Sequence, residues 1–555
     1  MTGWPDRRRF CVIAMVCVGL LIAGIAWGTH AFKENNVPPV RAVHYWGGGY
    51  PKTFWNSMDP AGVDRDFARI RSDGFNAIVL AVSWSEFQPQ LTPTPVFDEK
   101  SFALLQELVR KAKAHGLDVI LRVGFVWSFR PDAQLPNTER VDAMFVDDAI
   151  RDAWLAFVGE VCRRVCSEPN LRFGFLSWED LFPFNIAAAA PNTRNAGFRS
   201  RFVEYLRRRF VLSDLDAHFG RHFADWDAVT VPDRRSAAYA LVFDYWDDAL
   251  INRFWLPARP RFPRLSFEIR VDRDPVWNAG TITWYGHDAM FRVPGVNTVV
   301  LYYSVAWGMR NEGDQVDASV ALATLDRLLA MATQQAGGAA LFIDQFNFFD
   351  NTPEFSRNSR LRESEIDAML AGSAAVLAKY RAGYALWSDQ DYAANVLYNP
   401  SFQIGLRGWE ATTGVALERS ESGRPQARLD RGASISQTIN SITRELGFLP
   451  GATGTLCIRG RSLAAAGAAL RISGLPGRES EIRFPPEGVE RCIAVQLPSR
   501  YRLEISAPDR AVSIANVKLY THVQQSRIYR VDGTAGPQLA AIRALNRDLD
   551  RRAER

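Results

Sequence analysis

Short apolar runs rich in branched residues alternate with longer amphipathic stretches between about residues 40 and 390. Parallel strands covered on both faces read as continuous hydrophobic runs, and the helices that cross between them carry a 3.6-residue period. The alternation therefore predicts repeated βα units. Strands are predicted over 41–46, 76–83, 118–124, 172–178, 266–271, 298–303, 339–344 and 383–387. Helices are predicted over 101–115, closed by Gly116, and over 148–166 and 317–335. Eight strands with eight crossovers is the count of a closed (β/α)8 TIM barrel, an α/β fold. The open doubly wound sheet needs a G-x-G-x-x-G turn after its first strand, and Gly47-Gly48-Gly49 stands there instead. The stretch 198–255 is helical and long for one connection, which makes it a barrel helix plus an inserted elaboration.

The texture changes after Asp391. Short alternating strands follow, over 433–439, 455–459, 469–473, 481–484 and 511–520, with Gly-, Pro- and Ser-rich turns between them. That pattern predicts a β-sandwich or jelly roll. A charged helix over about 537–552 ends the chain. The organisation expected is an N-terminal segment over 1–37, a barrel over 38–392, a sandwich over 393–525 and a C-terminal charged helix over 526–555.

Arg7, Arg8 and Arg9 precede an uncharged stretch from Phe10 to about Gly28. This is the pattern of a signal-anchor: a single inner-membrane span with a cytoplasmic tip and the bulk of the chain in the periplasm. Cleavage near Thr29-His30-Ala31 is the alternative and would release a secreted or periplasmic protein. Composition adds little against this picture. Lys plus Arg number 66 and Asp plus Glu 61, so the net charge of +5 is too weak a bias for a nucleic-acid partner. The 16 Trp, 34 Phe and 15 Tyr are more telling, because they invite a surface for flat apolar faces, sugars among them. Of six cysteines, Cys457 and Cys492 lie in strand-like runs and are placed for a disulfide in an oxidising compartment. Cys162 and Cys166 are expected as two buried thiols on a helix. No His stands at zinc spacing, so neither a metal nor an organic cofactor is implied.

Barrel chemistry sits at the C-terminal ends of the strands. Strand four runs into Trp178-Glu179-Asp180, and a carboxylate beside aromatics there is placed to act as a general acid. Asp180 also reads as a helix N-cap. Strand seven ends at Asp344-Gln345, and strand eight ends at Trp387, a floor for a sugar ring. Two opposed carboxylates with aromatic walls is the layout for glycoside hydrolysis, and their separation decides between retention and inversion. His44, Trp84, Glu86 and Trp127 at the ends of the first three strands are candidates to line the site. So are Arg122, Glu268, Arg270, Tyr302 and Tyr303, whereas His287 beside Tyr285 reads as structural.

The strand-four and strand-seven carboxylates resemble those of the clan A glycoside hydrolases. The segment from Asp73 through Trp84-Ser85-Glu86 to Pro89 is similar to the second strand of glycoside hydrolase family 42 and related β-galactosidase-like barrels. The helix-and-turn stretch around Phe202, Phe210, Trp226 and Pro232 and the sequence Phe342-Ile343-Asp344-Gln345 resemble further segments of that family. The resemblance covers about residues 40–390 and implies Glu179 as acid/base and Asp344 as nucleophile. Trp178 stands where the family has Asn, and Asp344 where it has Glu; a shift of one residue would put Gln345 in the nucleophile position. Asn399-Pro400-Ser401-Phe402 with Gly405 and Trp409 is similar to the start of galactose-binding-like carbohydrate-binding jelly rolls.

The expectation is thus a glycoside hydrolase, retaining in the first instance, acting on a polysaccharide or oligosaccharide in the periplasm or outside the cell. Trp387, Trp84, Trp127, Tyr303, Trp178, His44 and Gln345 would contact the sugar. The alternative is a catalytically inactive barrel that binds glycan during polysaccharide synthesis or export. The two diverge at one point: whether Asp344 or Gln345 meets Glu179.

Overall fold

The run Ala77–Ser83 is buried at every position, and so is all of Asp118–Phe125 after its first residue. Burial on both faces leaves such runs one way to satisfy their backbone groups, namely parallel neighbours on either side with helices over the outer face. The structure, a computed structural model, describes residues 39–127, 130–181, 195–233, 235–271, 273–278, 281–302, 313–353, 359–440, 452–475, 480–498 and 500–554. The expected N-terminal anchor and Tyr303 lie outside the described residues. Among the described residues no helix is long and apolar enough to cross a membrane.

Eight parallel strands close into a barrel: β1 Arg41–His44, β2 Ala77–Ser83, β3 Asp118–Phe125, β4 Leu171–Leu176, β5 Leu265–Arg270, β6 Thr298–Tyr302, β7 Ala340–Ile343 and β8 Gly383–Leu386. All eight coincide with the strands predicted from the sequence. Several end a residue or two earlier, because the residues beyond leave the ladder to build the barrel mouth. Inside the barrel, Ala42, Val79, Ile120, Phe173, Phe175, Val300, Phe342 and Ala385 form one apolar cluster.

Three parts of the barrel were not foreseen. The connection from β5 to β6 begins with a hairpin, Asp274–Asn278 against Thr281–Tyr285, where a helix was expected. Its residues Val276, Trp277, Ile282, Thr283, Trp284 and Tyr285 are branched or aromatic, which suits a pleated ribbon. The inserted helices, among them Ala240–Ala249, pack against this hairpin through His287. Secondly, Cys162 and Cys166 are joined as a disulfide at the end of helix Asp148–Val165, so the expectation of two thiols is corrected. The expected Cys457–Cys492 disulfide is present.

Thirdly, the C-terminal helix Leu539–Ala553 sits where the eighth barrel helix belongs. Ile542, Leu545 and Leu549 join the barrel's main hydrophobic cluster. Asn546 donates to the Asp73 carbonyl at 2.9 Å and accepts from the Tyr384 hydroxyl, while Arg41 pairs with Asp550 at 2.7 Å. The approach is close: a Cβ on Gly74, whose φ is +87°, would lie 2.8 Å from the Asn546 side chain. The sandwich is therefore inserted between β8 and the helix that completes the barrel.

That sandwich has two five-stranded antiparallel sheets. Leu429, Ile435, Leu456, Ile458, Leu470, Leu503, Ile505, Val517 and Leu519 fill the space between them. Trp409 is core, with its indole N–H donating to the Asn399 carbonyl at 3.0 Å. The seam with the barrel is polar and buried. Glu86 accepts from Asn56 at 3.0 Å and from the Tyr398 hydroxyl at 3.1 Å, and burial pushes its carboxyl up to about 7. Glu86 is thus a joint between domains and not a lining residue of the mouth.

His287 is held on both sides: Nδ1 lies 2.8 Å from Asp247 and Nε2 lies 3.0 Å from Asp274. Burial favours the neutral ring, but the two carboxylates outweigh it, Asp247 most, and raise the imidazole to about 9. Burial meanwhile keeps Asp247 above the usual carboxylate range in spite of this partner. A raised cationic pKa stabilises the fold fully below the unfolded value of about 6.5, and that contribution is lost as pH rises towards 9. We expect urea unfolding to show a loss of about 3 kcal/mol between pH 6.5 and pH 9, and His287→Gln to flatten that dependence. Equal pH slopes in the two proteins would contradict it.

Candidate active site

In a TIM barrel the inward residues stack in layers drawn from alternate strands. Here the uppermost layer from the odd strands is ionisable throughout: His44 ends β1, Arg122 comes from β3, Glu268 from β5 and Asp344 follows β7. All four are buried. Arg122 is the hub. Its Nε and Nη2 hold Asp180 at 2.6 and 3.0 Å, Nη2 also reaches Glu179 Oε2 at 3.1 Å, and Nη1 lies 3.7 Å from Asp344 Oδ2. Burial opposes the guanidinium's charge, yet Asp180 first, then Glu179 and Asp344, keep its pKa above the ordinary arginine value. Burial pushes Asp180 up to about 6 against the pull of Arg122. Asp180 is thus the counter-ion of Arg122, and the residues it would cap as a helix N-cap, from 182 on, lie outside the described residues.

Glu179 is the part of this network that reaches solvent, with a side chain 27% exposed. Among the described residues its side chain is bonded by the Arg122 guanidinium and the Gln345 amide, whose Nε2 donates to Glu179 Oε2 at 3.4 Å. Aromatic surroundings were expected at this carboxylate, and the aromatics that follow it in the chain, Phe182 and Phe184, lie outside the described residues. Asp344 lies beneath, with no exposed side-chain surface. His44 Nε2 is 2.9 Å from the Asp344 carbonyl oxygen and 3.2 Å from Oδ1. Glu268 Oε2 accepts from the Ser177 hydroxyl at 2.6 Å and from the Trp178 N–H at 2.9 Å. Burial, then the charge of Asp344, push the Glu268 carboxyl well above its usual range.

The expected aromatic contacts divide. Trp387 and Trp127 are half-buried at the mouth. Trp387 packs on His44 and Trp46 with ring centroids 4.8 and 5.3 Å apart, and its indole N–H donates to Tyr392 at 2.9 Å. From there the aromatic arc runs through Tyr392 and Tyr50, 5.9 Å apart, to the Lys52 ammonium, which lies 5.6 Å from Tyr50 and 5.5 Å from Trp127. Lys52 carried no signal in the sequence beyond its place after strand one. Trp84 and Trp178 offer no face to a sugar, and the expectation is corrected for both. Trp84 is fully enclosed, donates to Gln88 at 2.7 Å and lies under Arg140. Trp178 packs among Phe243, Trp246 and His287, with Arg270 over its ring. Among the described residues no group of three or more His, Cys, Asp or Glu is placed to hold a metal ion.

No protein-family model matches the chain, and no curated protein matches it. Solved structures do. A GH5_18 protein from Streptomyces cattleya, in complex with GlcNAc, is similar over 64% of this chain and 72% of its own, at 12% identity and a TM-score of 0.41. The exo-beta-1,4-mannosidase Op5Man5 from Opitutaceae bacterium strain TAV5 is similar over 64% of this chain and 52% of its own, at 15% identity and a TM-score of 0.41. TmCBM61, in complex with beta-1,4-galactotriose, is similar over 23% of this chain and 99% of its own, at 17% identity and a TM-score of 0.20. Likeness at this level assigns neither activity nor ligand, and the narrower likeness to family 42 rests on sequence motifs alone.

Proposed function

We propose that the barrel mouth binds a glycan, with Glu179 and Gln345 as hydrogen-bonding groups and Trp387 and Trp127 as faces for sugar rings. One observation carries the reading. The strand-seven side chain that meets Glu179 is the amide of Gln345, which cannot attack an anomeric carbon, and Asp344 is enclosed below it between His44 and Arg122. Arg122 and Gln345 both donate to Glu179, an arrangement that suits a charged acceptor for sugar hydroxyls better than a proton donor. Two disulfides between described cysteines fit the exported, periplasm-facing setting expected from the N-terminal segment.

Hydrolysis is the second reading, favoured by the fact that Glu179 and Asp344 flank one guanidinium. There Glu179 would protonate the glycosidic oxygen, and Asp344, once uncovered, would attack the anomeric carbon or hold the developing positive charge. The test is a panel of soluble polysaccharides and their oligosaccharides, followed by calorimetric binding and by chromatography for new reducing ends. We expect binding without release, and Glu179→Gln weaker by about tenfold. Release that stops in both Glu179→Gln and Asp344→Asn would establish the hydrolase instead. Neither binding nor release across the panel would remove both readings.

A further inference from the structure

We propose that Glu268 is the positioning residue of this mouth: from β5 it holds the Ser177-Trp178 turn that presents Glu179 above Arg122. The inference rests on the reading of Glu179 as the group that meets the glycan. Glu179 lies one residue beyond the last bond Glu268 makes. The clamp has three connected bonds. The Ser177 hydroxyl and the Trp178 N–H both donate to Glu268 Oε2, at 2.6 and 2.9 Å, and the Glu179 N–H donates to the Ser177 oxygen at 3.2 Å. β4 ends at Leu176, so this turn has left the strand ladder, and β5 supplies through one side chain what the ladder no longer does.

The layer around the clamp has polar capacity that the fold does not use. Among the described residues, Glu268 Oε1 and His44 Nδ1 are buried with no hydrogen-bond partner, and the Asp344 oxygens face His44 Nε2 at 3.2 Å and Arg122 Nη1 at 3.7 Å without a hydrogen bond. A carboxyl serving only as packing would be expected to spend both oxygens on the fold, since a buried acceptor left unmade is costly. Glu268 spends one, on two donors at the turn. Its other oxygen takes no hydrogen bond among the described residues.

Two substitutions separate positioning from packing. Glu268→Gln keeps a carbonyl oxygen for the Ser177 and Trp178 donors, whereas Glu268→Leu fills the same volume and accepts nothing. Crystal structures of both full-length variants are the primary readout, and they need no ligand. Glu268→Gln should leave Glu179 on Arg122 and Gln345, and Glu268→Leu should release the turn and break both contacts. Calorimetry with the best-binding polysaccharide of the panel follows, with an expected loss of about tenfold or more for Glu268→Leu and recovery to near wild type for Glu268→Gln. Glu179 unmoved in a folded Glu268→Leu protein would overturn the proposal, as would equal binding by the leucine and glutamine variants. A displaced Glu179 in a protein that binds no glycan would instead uphold the clamp and remove the functional reading.

Discussion

Arg122→Ala should destabilise the barrel by about 3–5 kcal/mol, the range for removing one partner of a buried ion pair. The guanidinium is enclosed and serves three carboxylates: Asp180 through two bonds, Glu179 through one, and Asp344 at 3.7 Å. Its loss leaves Asp180 and Asp344 buried without the guanidinium that faces both. Burial already raises the Asp180 carboxyl, so its charge would be costlier still without Arg122, and the top of the barrel would be reorganised. Arg122→Lys tests the geometry separately, because an ammonium keeps the charge but lacks the planar fork that grips Asp180. It should recover only part of the stability. Urea unfolding followed by tryptophan fluorescence measures both variants, and a cost below about 1 kcal/mol for the alanine change would show that the network is no more than a surface-like pairing. If the mouth binds glycan as proposed, the same variant should abolish that binding, since Glu179 loses the guanidinium that bonds it.

Replacing Cys457 and Cys492 together by serine should lower the stability of the sandwich by about 3–4 kcal/mol through loop-closure entropy. The two residues pair across neighbouring antiparallel strands and close a loop with a sequence separation of 35. The second disulfide is the internal control. Cys162 and Cys166 are separated by only 4 residues, at the end of a helix that already brings them close, so opening that bridge should cost less. Differential scanning calorimetry of the two serine pairs compares them. A larger shift for the Cys162/Cys166 pair would reverse the order and refute the loop-length argument.

Much of the architecture was legible in the chain. Parallel strands advertise themselves because burial on both faces leaves them few polar positions, and all eight barrel strands were found in this way. Five of the ten sandwich strands were visible from alternation and turn residues. What escaped notice had a common cause. The β5–β6 hairpin and the pairing of Cys162 with Cys166 depend on neighbours in space, as does the return of helix Leu539–Ala553 to the barrel. Trp84 and Trp178 were placed correctly at strand ends, but a strand end does not say whether an indole looks into a cleft or into a neighbouring helix. Arg140 and Gln88 enclose the first, and the inserted helix carrying Phe243 and Trp246 encloses the second.

By itself the sequence placed the eight barrel strands and the antiparallel sheets that follow them, and it named candidate residues at the strand ends. It did so because hydrophobic periodicity reports which face of an element is buried. Only the tertiary structure decided which of those residues meet. Asp344 and Gln345 are neighbours at the end of one strand, where successive side chains point in opposite directions. Their spacing fits either one facing Glu179, and the choice was made by Arg122 and His44, which draw the carboxylate down into the barrel and leave the amide at the mouth.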